Sequence, residues 1–167
     1  MARTNFDLWF TFLASAFWAT FFAEWHLLFF APFLLLILYQ KPLSTTLWAG
    51  ALVGLWMDLH SAQMHLGLHA ISYVVTLYLL SRQKGHFYPE ALTTIPTLSL
   101  LFGISSTAIL AVLYLFFEKP LPFTKNWFIT DILVMPLFDG LYALLLVSLP
   151  LYLWKQYRRP APLKDER

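Results

Sequence analysis

The chain has 167 residues, of which 59% are hydrophobic and only 12% are charged, with a formal net charge of +2. An ordinary soluble domain carries about 25% charged residues, so this composition excludes a typical soluble globular protein. The net charge is small and the basic residues are scattered, so we expect no nucleic-acid partner. The chain has no cysteine, which excludes disulfides, thiolate metal sites and cysteine nucleophiles.

Six apolar stretches follow one another along the chain. They cover residues 8–23, 27–40, 45–58, 66–81, 91–117 and 129–154. In lipid only helices and closed barrels satisfy their own backbone hydrogen bonds, and these stretches lack the alternation of a barrel strand. The sequence therefore predicts an all-α polytopic membrane bundle of about six transmembrane helices, forming a single domain over residues 1–154.

The second and third stretches are short compared with the ~20 residues of a straight transmembrane helix. They could be bent, be thinly embedded, or form one helical hairpin that is broken around Lys41-Pro42. Five spans, or four spans and a re-entrant hairpin, remain open alternatives. Pro32, Pro96 and Pro136 fall inside predicted helices, where proline predicts a kink.

The basic residues are shared unequally between the two membrane sides that six spans would create. One side holds Arg3, Lys41, Arg82, Lys84, Lys155, Arg158, Arg159, Lys164 and Arg167, and the other holds Lys119 and Lys125. This bias predicts that both termini lie in the cytoplasm. The segment KQYRRPAPLKDER, residues 155–167, is predicted to be a basic cytoplasmic tail in contact with anionic membrane lipids.

The stretch AGALVGLWMDLHSAQMHLGLHA, residues 49–70, places Asp58 at the end of an apolar run. Three histidines follow: His60, His65 and His69. The last two are four residues apart, as in helical zinc sites, but the glutamate of that motif is missing and Gly67 between them indicates a turn. We therefore predict histidines that cap or snorkel at the outer interface, and no metal or cofactor, with zinc as the alternative.

Two aspartates lie in or beside apolar runs, where an ionisable residue is a functional candidate. At a helix C-terminus Asp58 is unfavourable unless it faces water, pairs, or caps the next helix. It could equally be the polar hinge of a helical hairpin. Asp139 lies within the last apolar run, and the adjacent Pro136 and Gly140 predict a local break that would satisfy its carboxylate.

Recognisable enzyme motifs are missing from the chain. It contains no GxSxG, no HExxH and no phosphate-binding P-loop, and serines without such a context resemble ordinary helix-packing residues. The sequence therefore predicts a protein that is not an enzyme.

Residues 31–79 resemble the rod shape-determining MreD family of bacteria. The shared pattern is a Pro-led apolar helix, a short basic turn, G-xxx-G-xxx-D, a polar loop, and Gly-x-x-Ala opening the next helix. The matching positions are Pro32, Gly50, Gly54, Asp58, Gly67 and Ala70. The glycine pair allows two helices to pack closely. The loop LHSAQMHL departs from the family pattern, which has a glycine at the loop tip and one residue fewer.

The resemblance implies a non-enzymatic scaffold of the cell-elongation machinery, or elongasome, in the bacterial cytoplasmic (inner) membrane. Its implied partners are MreC, MreB filaments, the polymerase RodA and its transpeptidase, with which the family confines sidewall peptidoglycan synthesis and maintains rod shape. The family fold is similar to the S components of energy-coupling vitamin transporters. The alternative is therefore a small-molecule-binding transporter subunit, in which Asp58 and Asp139 would be pocket residues.

Overall fold

The computed structural model describes residues 2–21, 28–60, 66–86, 92–117 and 128–157, and every element within them is a helix or a turn. The helices are α1 (Ala2–Phe21), α2 (Ala31–Gln40), α3 (Leu43–His60), α4 (Leu68–Gln83, continued by the 3-10 turn Lys84–His86), α5 (Thr94–Phe117) and α6 (residues 128–157). The all-α prediction is confirmed for these residues. Two helices, α5 and the part of α6 from Ile129 to Trp154, are long and apolar enough to cross a membrane.

The last helix, α6, is continuous but alternates between two helical forms. Its parts are a π segment (Phe128–Val134), an α segment (Met135–Tyr142), a second π segment (Ala143–Ser148) and a second α segment (Leu149–Tyr157). Pro136 and Pro150 are each the second residue of an α segment. A proline donates no N–H and clashes with the carbonyl four residues earlier, and the wider π turn before it relieves that clash. At Pro136, where the sequence predicts a kink, the helix has a widened turn.

Two other proline predictions are wrong. Pro32 and Pro96 lie in the first turns of α2 and α5, where the missing N–H has no intrahelical partner to lose, so neither kinks a helix. The predicted break at Lys41-Pro42 is confirmed. Lys41 is extended, with φ −122° and ψ 162°, because the following proline disfavours the helical conformation; α3 begins immediately afterwards.

The short helix α2 lies at the centre of the bundle. Its ten residues cover only about 15 Å, half the thickness of a bilayer core. It contacts each of the other helices, and seven of its residues are buried, as expected for a helix that is apolar on all sides. The core around it combines Phe30, Leu34, Leu35 and Leu38 with Val53, Tyr73, Leu77, Leu80, Leu98 and Phe102.

Large apolar side chains also point outward from several helices. They include Trp9, Phe17 and Phe21 on α1, Trp48, Leu52 and Trp56 on α3, and Val112, Leu115 and Phe116 on α5. An apolar surface of this kind marks contact with lipid or with a protein partner. The last helix continues to Tyr157, three residues into the predicted basic tail, and the rest of that tail lies outside the described residues.

Candidate functional site

The Asp58 carboxylate caps the helix that follows it. Asp58 lies in the last turn of α3 and is only 4% exposed. Its Oδ2 accepts the Gly67 N–H at 2.8 Å, and its Oδ1 accepts the His69 N–H at 3.0 Å. The Ala70 nitrogen lies farther away, 3.4 Å from Oδ2. One side chain therefore satisfies the first backbone donors of α4.

The magnitudes explain why an aspartate is favourable here. The first four N–H groups of a helix have no intrahelical acceptor, and a buried donor left without a partner costs about 1–3 kcal/mol. At the end of its own helix the carboxylate meets an unfavourable dipole, worth about 0.3–1 kcal/mol. Each hydrogen bond to a charged group contributes about 1.5–3 kcal/mol, so the contacts with α4 outweigh that cost. Of the alternatives left open by the sequence, the structure has two: the carboxylate caps the next helix and pairs with the His69 ring.

His60 and His69 follow Asp58 in the sequence and occupy separate capping positions. His69 Nδ1 lies 2.8 Å from Asp58 Oδ1, with its ring largely buried, so the ring N–H donates to the carboxylate. His60 is exposed, its Nδ1 is 2.9 Å from the carbonyl oxygen of Trp56, and its ring stacks on that indole. His65 falls outside the described residues. Within the described ranges, no three His, Cys, Asp or Glu side chains are grouped closely enough to hold a metal ion.

The glycines of α3 lie where its backbone meets that of α4. A Cβ on Gly54 would lie 2.6 Å from the Ala70 nitrogen and 2.8 Å from the His69 carbonyl carbon, too close for any side chain. One turn earlier, a Cβ on Gly50 would collide with the Leu77 side chain. The small-xxx-small pair therefore lets the two backbones approach closely, as predicted.

Gly67 is needed for its backbone conformation. Its φ is +107°, in the left-handed region that other L-residues avoid. Nothing lies within 4 Å of the position where its Cβ would be, so packing does not select glycine there. The Gly67 N–H donates to Asp58 and its carbonyl accepts the Ile71 N–H at 3.0 Å. The turn and the first bond of α4 thus depend on this one residue.

The positions of the sequence pattern are brought together with one exception. Gly50, Gly54, Asp58, Gly67 and Ala70 all lie in the α3–α4 contact. Pro32, the remaining position, is buried in the first turn of α2. The loop whose length departs from the pattern, residues 61–65, lies outside the described residues.

The Asp139 carboxylate is satisfied by a distant part of the chain. It is 2% exposed and its Oδ1 accepts the N–H of Leu28 at 2.8 Å, in the turn that leads into α2. The predicted local break is wrong, because Asp139 lies in the regular α segment of α6 and a distant backbone donor satisfies it. A Cβ on Gly103 of α5 would lie 3.0 Å from its Oδ2 and 3.1 Å from Pro136 Cβ. The carboxylate is therefore enclosed between α5 and α6.

Sequence reasoning missed the small and polar residues that join α4, α5 and α6. Besides Gly103, Gly140 makes a close contact, with its Cβ position 3.3 Å from the carbonyl oxygen of Pro96. The Ser72 hydroxyl donates to the Ser106 carbonyl oxygen at 2.8 Å, linking α4 to α5. These residues lie on different helices, so no spacing within one segment could have paired them.

A cavity of about 300 Å³ lies between α1 and α2. Neither Asp58 nor Asp139 lines it, so the two buried carboxylates do not share a pocket there.

No protein-family model matches the chain, and no curated protein or solved structure compared with it does so. A function for this chain is therefore inferred from the geometry of the α3–α4 hairpin (residues 43–60 and 68–83).

Proposed function

We propose that the chain is a non-enzymatic membrane scaffold of the bacterial cell-elongation machinery, of the MreD type. The observation that supports this is the α3–α4 hairpin, where the residues of the MreD-like pattern have complementary physical tasks. Gly54 admits the α4 backbone and Gly50 the Leu77 side chain. Asp58 caps α4, and Gly67 sets the turn. Together they give a rigid two-helix unit of the kind on which a partner protein can assemble.

The proposal places the chain in the bacterial inner membrane as about six spans with both termini in the cytoplasm, a bundle similar to transporter S components. The lengths and apolar compositions of α5 and α6 support the membrane location. The positions of two predicted cytoplasmic lysines support it as well. Tyr39, beside Lys41, donates from its hydroxyl to the Lys84 carbonyl oxygen at 3.5 Å, so the ends of α2 and α4 that carry these lysines lie together.

The outward face of α3 is the partner surface in this proposal. It presents a row of exposed apolar side chains at helical spacing: Trp48, Leu52, Trp56 and Leu59. Residues three and four apart share one helix face, so the row forms a continuous strip. We assign this strip to the membrane helix of an MreC-like protein, within an assembly that includes a RodA-type polymerase, its transpeptidase and MreB filaments.

The hydrogen bonding of the buried aspartates also favours a structural role. Both oxygens of Asp58 accept backbone N–H groups, and Asp139 accepts one from Leu28. A carboxylate held in this way stabilises the bundle, and releasing it to bind a substrate would leave buried donors unpaired at about 1–3 kcal/mol each.

The direct test is a site-specific photo-crosslink in the native membrane. A photoreactive amino acid replaces Leu52 on α3, 64% exposed, or as the matched control Val112 on α5, 52% exposed. Adducts of the tagged protein are purified in detergent and identified by mass spectrometry. We expect an MreC-like protein and cell-wall synthases from Leu52 and not from Val112. Transporter ATPases in their place would contradict the scaffold and support the ligand-binding alternative.

A second test measures cell shape. A strain that depends on a plasmid copy of the gene for this protein receives Asp58→Ala or the control Asp131→Ala. The control changes a partly exposed aspartate of α6. We expect rounded cells with the first variant and rods with the second, with protein levels checked by immunoblot. Normal rods with Asp58→Ala at normal protein level would refute a role of the hairpin in shape.

A further inference from the structure

The cavity between α1 and α2 has apolar walls and one basic end. The walls come from Leu8, Trp9, Phe12, Phe33 and Ile37, and the end from Lys41 and Thr45. The residues that line it include no aspartate or glutamate. A cavity of this kind matches a ligand with an apolar chain and an anionic head.

The apolar part runs along α2 toward the lysine. Phe33 and Ile37 are four residues apart and lie on one face of α2, and Lys41 follows the end of that helix, where its N–H donates to the Ile37 carbonyl oxygen at 2.8 Å. They cover about 12 Å along the axis, close to the ~15 Å depth of one leaflet. Ile37 is buried and forms the floor, whereas Trp9 is largely exposed and forms the outer wall. The groove is therefore accessible from the side, where lipid chains would lie.

The polar end carries the positive charge of Lys41, which is exposed. Lys41 lies between the C-terminus of α2 and the N-terminus of α3, and the opposite partial charges of these two helix ends offset each other. Thr45, in the first turn of α3, adds a hydroxyl donor. This is the end of the bundle that also carries Lys84, the side on which the sequence concentrates basic residues.

We propose that this groove binds one acyl chain of an anionic phospholipid, with the lipid phosphate on Lys41 and Thr45. A partner helix does not fit the space. A helical segment about 12 Å long and about 10 Å wide fills roughly 900 Å³, three times the cavity of about 300 Å³. The site requires the chain to be in a membrane but not to act as a scaffold.

The test is native mass spectrometry of the full chain in detergent, titrated with phosphatidylglycerol or with phosphatidylcholine of identical chains. We expect phosphatidylglycerol to bind about fivefold more tightly, the factor for one lysine near an anionic headgroup. Lys41→Gln removes this preference. Lys84→Gln, which deletes a lysine outside the groove on the same side, retains it.

A second variant tests whether the lipid occupies the groove. Thr45→Phe fills the groove from an exposed position, so it is expected to fold normally and to weaken both lipids at least fivefold. Thermal unfolding without added lipid checks the fold. Three results would each overturn the proposal. They are equal binding of the two lipids by the parent protein, equal loss of the preference for phosphatidylglycerol in Lys41→Gln and Lys84→Gln, and unchanged lipid binding by Thr45→Phe. The crosslink at Leu52 is independent of these results.

Discussion

Replacing Asp58 by alanine tests the central contact of the α3–α4 hairpin. The change removes the acceptor of two backbone N–H groups, those of Gly67 and His69, and of the His69 ring. Alanine fits the space, so any loss of stability reports the missing acceptor. The donors lie in a partly buried contact, where few other acceptors can replace the carboxylate.

The expected loss follows from the distances. Three hydrogen bonds to the carboxylate measure 2.8, 3.0 and 2.8 Å, and each bond to a charged group is worth about 1.5–3 kcal/mol. Their sum is an upper bound, because the His69 ring can turn away and the effects of neighbouring bonds are not additive. We expect a destabilisation of about 3–5 kcal/mol, more than one such bond contributes and less than the full sum of three. Asp58→Asn, which keeps one acceptor oxygen, should lose less.

Reversible unfolding in detergent, followed by tryptophan fluorescence, measures the free energy of unfolding. Amide hydrogen exchange at residues 67–70 reports the first turn of α4 directly. Asp131→Ala is the control and should change the unfolding free energy by less than about 0.5 kcal/mol, as surface substitutions do. Two results would refute the capping argument. One is an unfolding free energy of Asp58→Ala within about 1 kcal/mol of the parent protein, which is below the range for one such hydrogen bond. The other is unchanged amide exchange at residues 67–70.

Further predictions concern the other close contacts. Gly54→Ala should separate α3 from α4 and lower the free energy of unfolding by about 1–3 kcal/mol, as overpacking does. Gly85→Ala should be neutral, because nothing lies within 4 Å of the added Cβ. Equal unfolding midpoints of the two variants would contradict this. Gly67→Ala should lower the free energy of unfolding by about 1–2 kcal/mol, because alanine is unfavourable in the left-handed conformation. Gly67→Asn should lower it less. Equal losses of the two variants in denaturant titrations would show that φ is not the cause. Asp139→Ala should speed amide exchange at Leu28 and lower stability by about 1–3 kcal/mol; unchanged exchange there would contradict the assigned acceptor.

Much of the helical framework could be predicted because it depends on local chemistry. Each of the six apolar stretches overlaps one helix, because long apolar runs without alternation favour helices over strands. The break at Lys41-Pro42 follows from the conformational limits of the residue before a proline. The capping role of Asp58 was among the alternatives, because its partners lie only nine to twelve residues away.

The remaining features depend on contacts that no local pattern encodes. Asp139 lies 111 residues from Leu28, so only the folded bundle brings its acceptor to that turn. Gly103 and Gly140 lie on different helices and acquire their role from the α5–α6 contact. The central position of α2 was also not predicted, because a short apolar run can be buried in protein or in lipid.

The bond between Asp139 and Leu28 also has a consequence for biogenesis. The chain is made from its N-terminus, so the turn into α2 is complete long before its carboxylate partner is synthesised, 111 residues later. The hairpin cap at Asp58 closes over only nine residues and can form as soon as the first turn of α4 has been made. The turn that leads into α2 therefore obtains this backbone partner only when α6 is made. A chain that stops before Asp139 leaves the Leu28 N–H without this acceptor, beside the core of the bundle.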